Sequence, residues 1–475
     1  MSQQSEDRAQ EVSAGLERTL GVPQIVFMVV AMAAPLTVFA GLIPLMLGSG
    51  NGIGTPIDFV IVGIVLVLFT VGYSAMTPEV RNAGAFYSYV QRGLGTGAGL
   101  GTAALALVTY SLIIVSVSAY LGAAARNVIV TFTGISVPWW CLAAAGLGAI
   151  GYLGYRNVEV SARVLGALLI AEVGIVVLVD LAIVLRGGDH GLSAQPLTWG
   201  AFTSGAPATG IMFAVFGFVG FEATAVFRSE AKDPDRTIPR ATYIAVVLIA
   251  VIYAISSWAM VNGLGVARAV DLAASDPEGL APELATRYVS QAAHDVMQVL
   301  LVTSFFACVL TAHNVVARYL FTLGRQAVLP VWLDSVHPVH RSPHVASLLT
   351  SGVIGVLLAA TAIAGLDPVV EVYAWFGGAG TLGLIVLLAL TSAAVVVHFR
   401  KTGTASTWTG TVAPALSLAA LGAILVLVVG NFELLIGSRT GANVFLAVVV
   451  AAFACGLAWA VLLRRRRPEV YAALQ

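Results

Sequence analysis

The chain has 475 residues, 59% of them hydrophobic and only 10% charged, with a formal net charge of zero and a mean hydropathy of +0.93. So few charges cannot cover the surface of a soluble protein of this length. Apolar runs of about 20 residues recur along the whole chain, each matched to the roughly 30 Å hydrocarbon core of a bilayer, so the fold class is an all-α polytopic membrane protein.

Residues 1–20 are polar and mixed in sign. They lack the basic start and small-residue cleavage site of a secretory signal, and read as a tail. Twelve spans follow, at about 22–47, 56–77, 99–124, 138–155, 160–185, 205–228, 240–262, 293–323, 345–364, 368–398, 411–431 and 441–463. The first is interrupted at Ala33-Ala34-Pro35-Leu36-Thr37. Pro35 removes one backbone donor and clashes with the carbonyl four residues back; Gly41 and Pro44 follow. After the second span, the segment AGAFYSYVQRGLGTG (83–97) is too polar to cross. Phe86, Tyr87, Tyr89 and Val90 would give a short surface helix an aromatic face, and a plain loop is the other reading.

Tyr110 in the third span reads as a pocket-facing or a core residue. In the fifth, ARVLGALLIAEVGIVVLVD buries Glu172 near mid-span, and Asp180 reads as an interfacial acid nearer the end. The sixth span carries Gly217-Phe218-Val219-Gly220-Phe221-Glu222. The two glycines lower helix propensity near the middle of a segment of about 24 residues, roughly 36 Å as a helix, which places the interruption near the midplane. The longest connection, about 263–292, is acidic, with Asp271, Asp276, Glu278 and Glu283. In the eighth span, Thr303 and Ser304 offer hydroxyls to a cation or to helix packing; His313 and Asn314 read as structural.

Basic residues set the topology. Arg81, Arg92, Arg156, Arg163, Arg228, Lys232, Arg236, Arg240, Arg318, Arg325, Arg341, Arg400 and Lys401 follow even-numbered spans, and Arg464–Arg467 follow the last. The other connections hold only Arg126, Arg186, Arg268, Arg287 and Arg439. Because Lys and Arg collect on the cytoplasmic side, both termini are expected inside a cell membrane and the acidic connection outside. The Arg464–Arg467 run reads as an anchor at the anionic inner leaflet rather than a nucleic-acid site. Cys141, Cys308 and Cys455 all fall inside predicted spans, which argues against a disulfide framework or a metal site. No Rossmann or Walker motif appears, no cofactor is implied, and no stretch is long and polar enough for a nucleotide-binding domain. Any work done comes from an ion or substrate gradient.

Inside hydrocarbon every backbone N–H and C=O needs a partner. Glycine and proline are common in membrane helices, and one Gly-x-x-Gly more often marks close packing than a site. Two interrupted helices in corresponding positions of two halves point to a secondary-transporter site. Half-helix N-termini offer N–H groups to a carboxylate, and half-helix C-termini offer carbonyls to an ammonium or cation.

Three stretches resemble the amino acid–polyamine–organocation permeases. They are FGFVGFEATAVFRSEAKDPDRTIPRA in and after the sixth span, ARYLFTLGRQAVLPVWLDSVHPVHRSPHVA (317–346) after the eighth, and NAGAFYSYVQRGLG (82–95) after the second. The resemblance covers ten spans; the last two match only in hydrophobicity. It implies a five-plus-five inverted-repeat, leucine-transporter-like core plus two extra helices, and transport by alternating access. The units would be a cytoplasmic tail at 1–20, repeats at 21–186 and 205–399, the extra helices at 411–463 and a basic tail at 464–475. It implies that Phe216 stands where an aromatic gate closes over substrate and that Glu222 links the broken helix to its neighbours. In such permeases a Gly-Ser-Gly-type segment in the first span holds the substrate carboxylate. Here AMAAPLTVFAG departs from it, which leaves polyamines, other amines and γ-amino acids beside ordinary α-amino acids.

The expected substrate site is therefore Ala33, Ala34, Pro35, Leu36, Thr37, Tyr110, Phe216, Gly217, Phe218, Val219 and Gly220. Phe216 reads equally as a packed or lipid-facing ring. Glu222 reads equally as a structural anchor or a proton-linked group. Glu172 reads as a proton-exchanging group or as a neutral acid bonded to a broken helix. The expected activity is secondary transport of an amino acid or amine, coupled to protons in preference to Na⁺. The rivals are a polyamine or organic-cation exchanger on the same fold and a membrane sensor without transport. A channel or membrane-embedded enzyme would need a filter, nucleophile or metal cluster, and none is found in the sequence.

Overall fold

The computed structural model describes residues 20–80, 85–156, 162–222, 224 and 231–474. The tail up to residue 19, Arg81, Arg228 and the far end of the sixth predicted span beyond residue 224 lie outside them. Among the described residues the fold is all-helical, with no strand beyond an isolated bridge between Leu20 and Ala231.

The first span is two helices. α1 (Val22–Met32) stops at Ala33, and α2 (residues 35–49) restarts at Pro35. Proline suits this first position because its missing N–H would be unpaired there anyway. α2 widens into a π turn at Val38–Leu42 before continuing as Ile43–Ser49. Next come α3 (Thr55–Met76), α4 (Ala85–Leu94), α5 (Thr96–Thr133), α6 (Trp139–Arg156) and α7 (Ala162–Leu185). The short helix predicted after the second span is α4, and its Phe86, Tyr87, Tyr89 and Val90 are all buried.

A short α8 (Trp199–Ser204) leads into α9 (Pro207–Gly217), which is all that is regular of the sixth span before the chain turns at Phe218. α10 (Pro234–Leu264) follows. The acidic connection is not a plain loop: it folds into α11 (Ala269–Ser275) and α12 (Leu280–Tyr288). α13 (Gln291–Arg325), α14 (His344–Ile363), α15 (Pro368–Thr402), α16 (Trp408–Ile436), α17 (Arg439–Arg466) and α18 (Pro468–Ala473) complete the chain.

Among the described residues ten helices are long and apolar enough to cross a membrane. The two predicted spans not among them are α6 and the sixth. α6 has 18 residues, but its glycines, aromatics and terminal Arg156 dilute its hydropathy. The sixth is cut to 11 helical residues by its own glycine turn.

One continuous apolar core joins α1, α2, α3, α5, α9, α10, α13 and α15. α7, α14, α16 and α17 instead turn bulky apolar side chains outward, among them Ile170, Leu181, Val356, Ile363, Val426 and Val450. That division fits a central bundle in a lipid-facing sleeve. Beyond the helix ends, the acidic connection is tied down by Asp189, whose carboxylate accepts hydrogen bonds from Arg268 and Arg287. Desolvation alone would raise this acid, but the two guanidinium groups outweigh it and hold it below the usual carboxylate range.

Candidate functional site

The interruption between α1 and α2 is a single left-handed residue, Ala34, with φ 46° and ψ 68°. A left-handed non-glycine residue is strained by roughly 1–2 kcal/mol. The break frees the Ala33 carbonyl, which accepts a 2.8 Å hydrogen bond from the Tyr253 hydroxyl of α10. Ala34 has no side chain that can cap the new helix. The first turn of α2 thus starts with uncapped N–H groups, as any helix N-terminus does without a capping side chain.

The second interruption uses glycine. α9 ends at Gly217, and Phe218–Gly220 form a turn in which Gly220 takes φ 104°. Glu222 then folds back on it. Its carboxylate accepts the Gly220 N–H at 3.0 Å on one oxygen and the Tyr110 hydroxyl at 2.6 Å on the other. Tyr73 caps the Glu222 carbonyl at 3.2 Å. The Gly220 N–H and the Ala33 and Glu222 carbonyls thus have internal partners, as irregular backbone at this depth requires, whereas the N–H groups at the start of α2 are left without a capping side chain.

The two breaks touch. A Cβ placed on Gly220 would lie 3.2 Å from Cβ of Met32, the last residue of α1. One placed on Gly217 would lie 3.3 Å from Leu42 in the π turn of α2. Aromatic rings close the region from both sides. On one side Tyr120 stacks on Phe305 at 4.5 Å and meets Tyr373 at 4.9 Å, and Phe216 meets Tyr373 at 5.5 Å. On the other Tyr73 stacks on Tyr89 at 4.5 Å, Phe69 packs on Phe221, and Tyr110 faces Tyr319. Tyr110 and Tyr120 lie on the same helix about 15 Å apart, which is the spacing between the two layers. Ala33, Ala34, Pro35, Leu36, Thr37, Tyr110, Phe216, Gly217, Phe218 and Gly220 are buried, and Val219 partly so.

The profile of the amino acid permeases matches residues 24–469. The chain belongs to the amino acid permease family. Among similar proteins, the low-affinity putrescine importer PlaP of Escherichia coli (strain K12) is 25% identical over 349 residues, covering 71% of this chain and 74% of that one. The branched-chain amino acid permease BcaP of Bacillus subtilis is 24% identical over 370 residues, 74% of each chain. The chloroplastic cationic amino acid transporter 7 of Arabidopsis thaliana is 24% identical over 319 residues, 61% of this chain and 52% of that one. Family and relatives are transporters. The protein is a multi-pass integral membrane permease and not an enzyme.

Within the permease, Glu172 lies buried on α7 and accepts a 2.7 Å hydrogen bond from Ser304 of α13. Ser304 in turn accepts one from Thr37 of α2 at 3.0 Å. Three helices spread over more than 260 residues of sequence thus share one polar chain. Thr303 is not part of it; its hydroxyl turns back to the Leu300 carbonyl. Asp180 is not at an interface. α10 covers it, and Ser256 donates to it at 2.5 Å. His313 bonds Ser351 on α14, a structural tie. Phe216 packs among protein rings rather than against lipid.

Sequence reading missed the capping tyrosines 73 and 253, and the ring partners Tyr120, Phe305 and Tyr373. A tyrosine deep in a span is itself a signal, because its hydroxyl needs a partner there. What the sequence lacks is any indication of which carbonyl it will find. It also missed Asp58, which is fully buried beside Asn51 at the start of α3.

Proposed function

We propose that this permease moves an amino acid or related amine across the cell membrane by alternating access, driven by proton movement. The observation that carries the reading is the meeting of two broken helices inside a protein-lined, doubly closed region. Substrate would lie against Ala33, Ala34, Pro35, Leu36 and Thr37 on one side and Phe216, Gly217, Phe218, Val219 and Gly220 on the other, with Tyr110 below. The uncapped start of α2 suits a carboxylate; the carbonyls at the end of α9, each able to accept a second hydrogen bond beside the turn N–H it already takes, suit an ammonium. The two aromatic layers suit gates, one opening at a time.

The order of elements supports a five-plus-five core. Each proposed half begins with a broken helix. Each has a long helix third, α5 with 38 residues and α13 with 35, and its shortest uninterrupted one fourth, α6 with 18 and α14 with 20. Each also has short helices after its second span, α4 in one and α11 with α12 in the other. α6 and the sixth segment would complete twelve crossings, with both termini cytoplasmic.

The two deep acids separate by their partners. Glu222 accepts on both oxygens and holds the α9 turn, so it serves as an anchor. Glu172 has Ser304 as its one hydrogen-bond donor among the described residues, which leaves capacity for a proton or an amine. We assign coupling to Glu172 for that reason. The same spare oxygen favours the second reading, an exchanger of polyamines or organic cations. The name of the putrescine importer keeps amines in the panel.

The test is uptake of radiolabelled amino acids and amines into proteoliposomes. A pH gradient, acid outside, should drive accumulation of at least one substrate into empty vesicles. Accumulation only in vesicles preloaded with substrate would replace the reading with exchange. No uptake of any compound across a broad panel would overturn transport.

A further inference from the structure

Away from the breaks, a groove of about 750 Å³ runs between α6 and α14. Leu147, Gly148, Gly151, Leu348, Gly352 and Gly355 are among its lining residues. Glycines between membrane helices usually serve close backbone approach. Gly151 does so, since a Cβ there would sit 2.7 Å from Ser351 Oγ. Gly148 and Gly352 do not: a Cβ on either meets no atom within 4 Å. They widen an exposed apolar channel instead. Trp140 marks one end and Tyr155 the other, about 22 Å apart along the helix. That exceeds the ~15 Å depth of one leaflet, so an extended acyl chain fits its length.

The tyrosine end carries hydrogen-bond donors and positive charge. Arg156 closes α6, donates to the Tyr152 hydroxyl at 2.7 Å and lies 5.6 Å from the centre of that ring. It is exposed, and among the described residues no carboxylate pairs with it. The rings of His337, His340 and His344 surround Tyr155 at 5.1, 6.0 and 5.9 Å. His337 Nδ1 accepts the backbone N–H groups of Val339 and His340, which puts its proton on Nε2 as a donor.

We propose that this groove binds one anionic phospholipid, its acyl chain between α6 and α14 and its phosphate at Arg156 beside the histidines. Two features converge on that occupant. The channel is apolar and open to the bilayer, and its charged mouth is cationic, the complement of an anionic headgroup. The source is the inner leaflet, where anionic lipids concentrate; that clause rests on the cytoplasmic placement of the α6 C-terminus proposed above.

Native mass spectrometry of the full-length permease in detergent tests the site, with phosphatidylglycerol and phosphatidylethanolamine as probes. Phosphatidylglycerol should be retained at about fivefold lower lipid concentration, the gain of one basic residue at an anionic headgroup. Arg156→Gln should abolish that preference while leaving chain binding. Gly148→Leu with Gly352→Leu should fill the groove and release both lipids, with an unchanged unfolding midpoint as the check on folding. A phosphatidylglycerol carrying a photoreactive acyl chain should cross-link to peptides of α6 and α14 in the wild-type protein. Three results would each overturn the proposal: an unchanged lipid preference in Arg156→Gln, wild-type retention in the double leucine variant, or cross-links confined to other helices. Loss of a dimer in the leucine variant would do so too, by making a second copy the occupant. The micelle readout needs neither transport nor orientation, so its failure is distinct from failure of the transport reading.

Discussion

The two interruptions solve the same physical problem with different chemistry. At the α1–α2 break an alanine is forced into the left-handed region, and the freed carbonyl is met from another helix by Tyr253. At the α9 break a glycine takes the positive φ without strain from a Cβ, and the segment supplies its own anchor in Glu222. One break is held from outside, the other largely from within. The α1–α2 break is therefore the one whose geometry depends on how α10 and α13 are placed, through Tyr253 and through Ser304 on Thr37. On the transport cycle proposed above, that difference would give the two breaks separate parts: a self-supported pivot at α9, and at α2 an element that responds to changes on its neighbours.

Removing the internal anchor should do the most damage. Glu222→Ala leaves the Gly220 N–H and the Tyr110 hydroxyl without their acceptor at a depth where water cannot replace it. Each orphaned donor costs about 1–3 kcal/mol. Detergent-purified protein should unfold at a clearly lower temperature, and uptake should be lost. Gly220→Ala should come close behind, because φ 104° is hostile to a Cβ that would also press on Met32. A variant at either position with wild-type unfolding and uptake would remove the pivot from the comparison.

Glu172→Gln tests the other break through its polar chain. The amide can still accept from Ser304, so the fold and the Thr37–Ser304 contact should survive. It cannot exchange a proton. Gradient-driven accumulation should fall to simple equilibration, while exchange of labelled for unlabelled substrate continues. Accumulation under a pH gradient that persists in the glutamine variant would move coupling away from α7.

Tyr253→Phe should have a smaller effect. It keeps the ring contacts with Phe59 and Phe218 and deletes only the hydroxyl that caps Ala33. A buried carbonyl left unpaired costs roughly 1–3 kcal/mol, and uptake should drop several-fold. Tyr73→Phe, which removes the 3.2 Å cap on Glu222, should cost less, since Glu222 still anchors its turn. Equal losses from the two tyrosines would mean that the breaks are supported alike.

Much of this was legible in the sequence because it is written in local chemistry. Hydrophobic runs gave the ten long apolar helices among the described residues, Pro35 gave the restart of α2, and Gly217 and Gly220 gave the turn after α9. The aromatic pattern at 86–90 gave α4. The partners of the deep acids were not legible. Nothing local ties Glu172 to Ser304, or Tyr110 to Glu222; those contacts are set by helix packing across more than 100 residues. Asp180 misled for the same reason. Its place near a span end suggests an interface, and only the packing of α10 over α7 buries it. The interruption expected over Ala33–Thr37 is confined to Ala33 and Ala34, and that an alanine rather than a glycine carries the positive φ has no sequence signal.

That alanine supports the smallest prediction and the finest test of the comparison. Ala34→Gly removes the strain of a left-handed alanine, worth roughly 1–2 kcal/mol. Against that stands the greater freedom of glycine in the unfolded chain, about 0.4–1 kcal/mol. The two largely offset each other, so the unfolding midpoint should stay within a degree or two. Uptake should change less than twofold if Tyr253 and Ser304 hold α2 in place, because external ties do not need the strained residue. A large loss of uptake at unchanged stability would show instead that the strain itself positions the α2 N-terminus. The alanine would then be a working part of the break rather than a tolerated one.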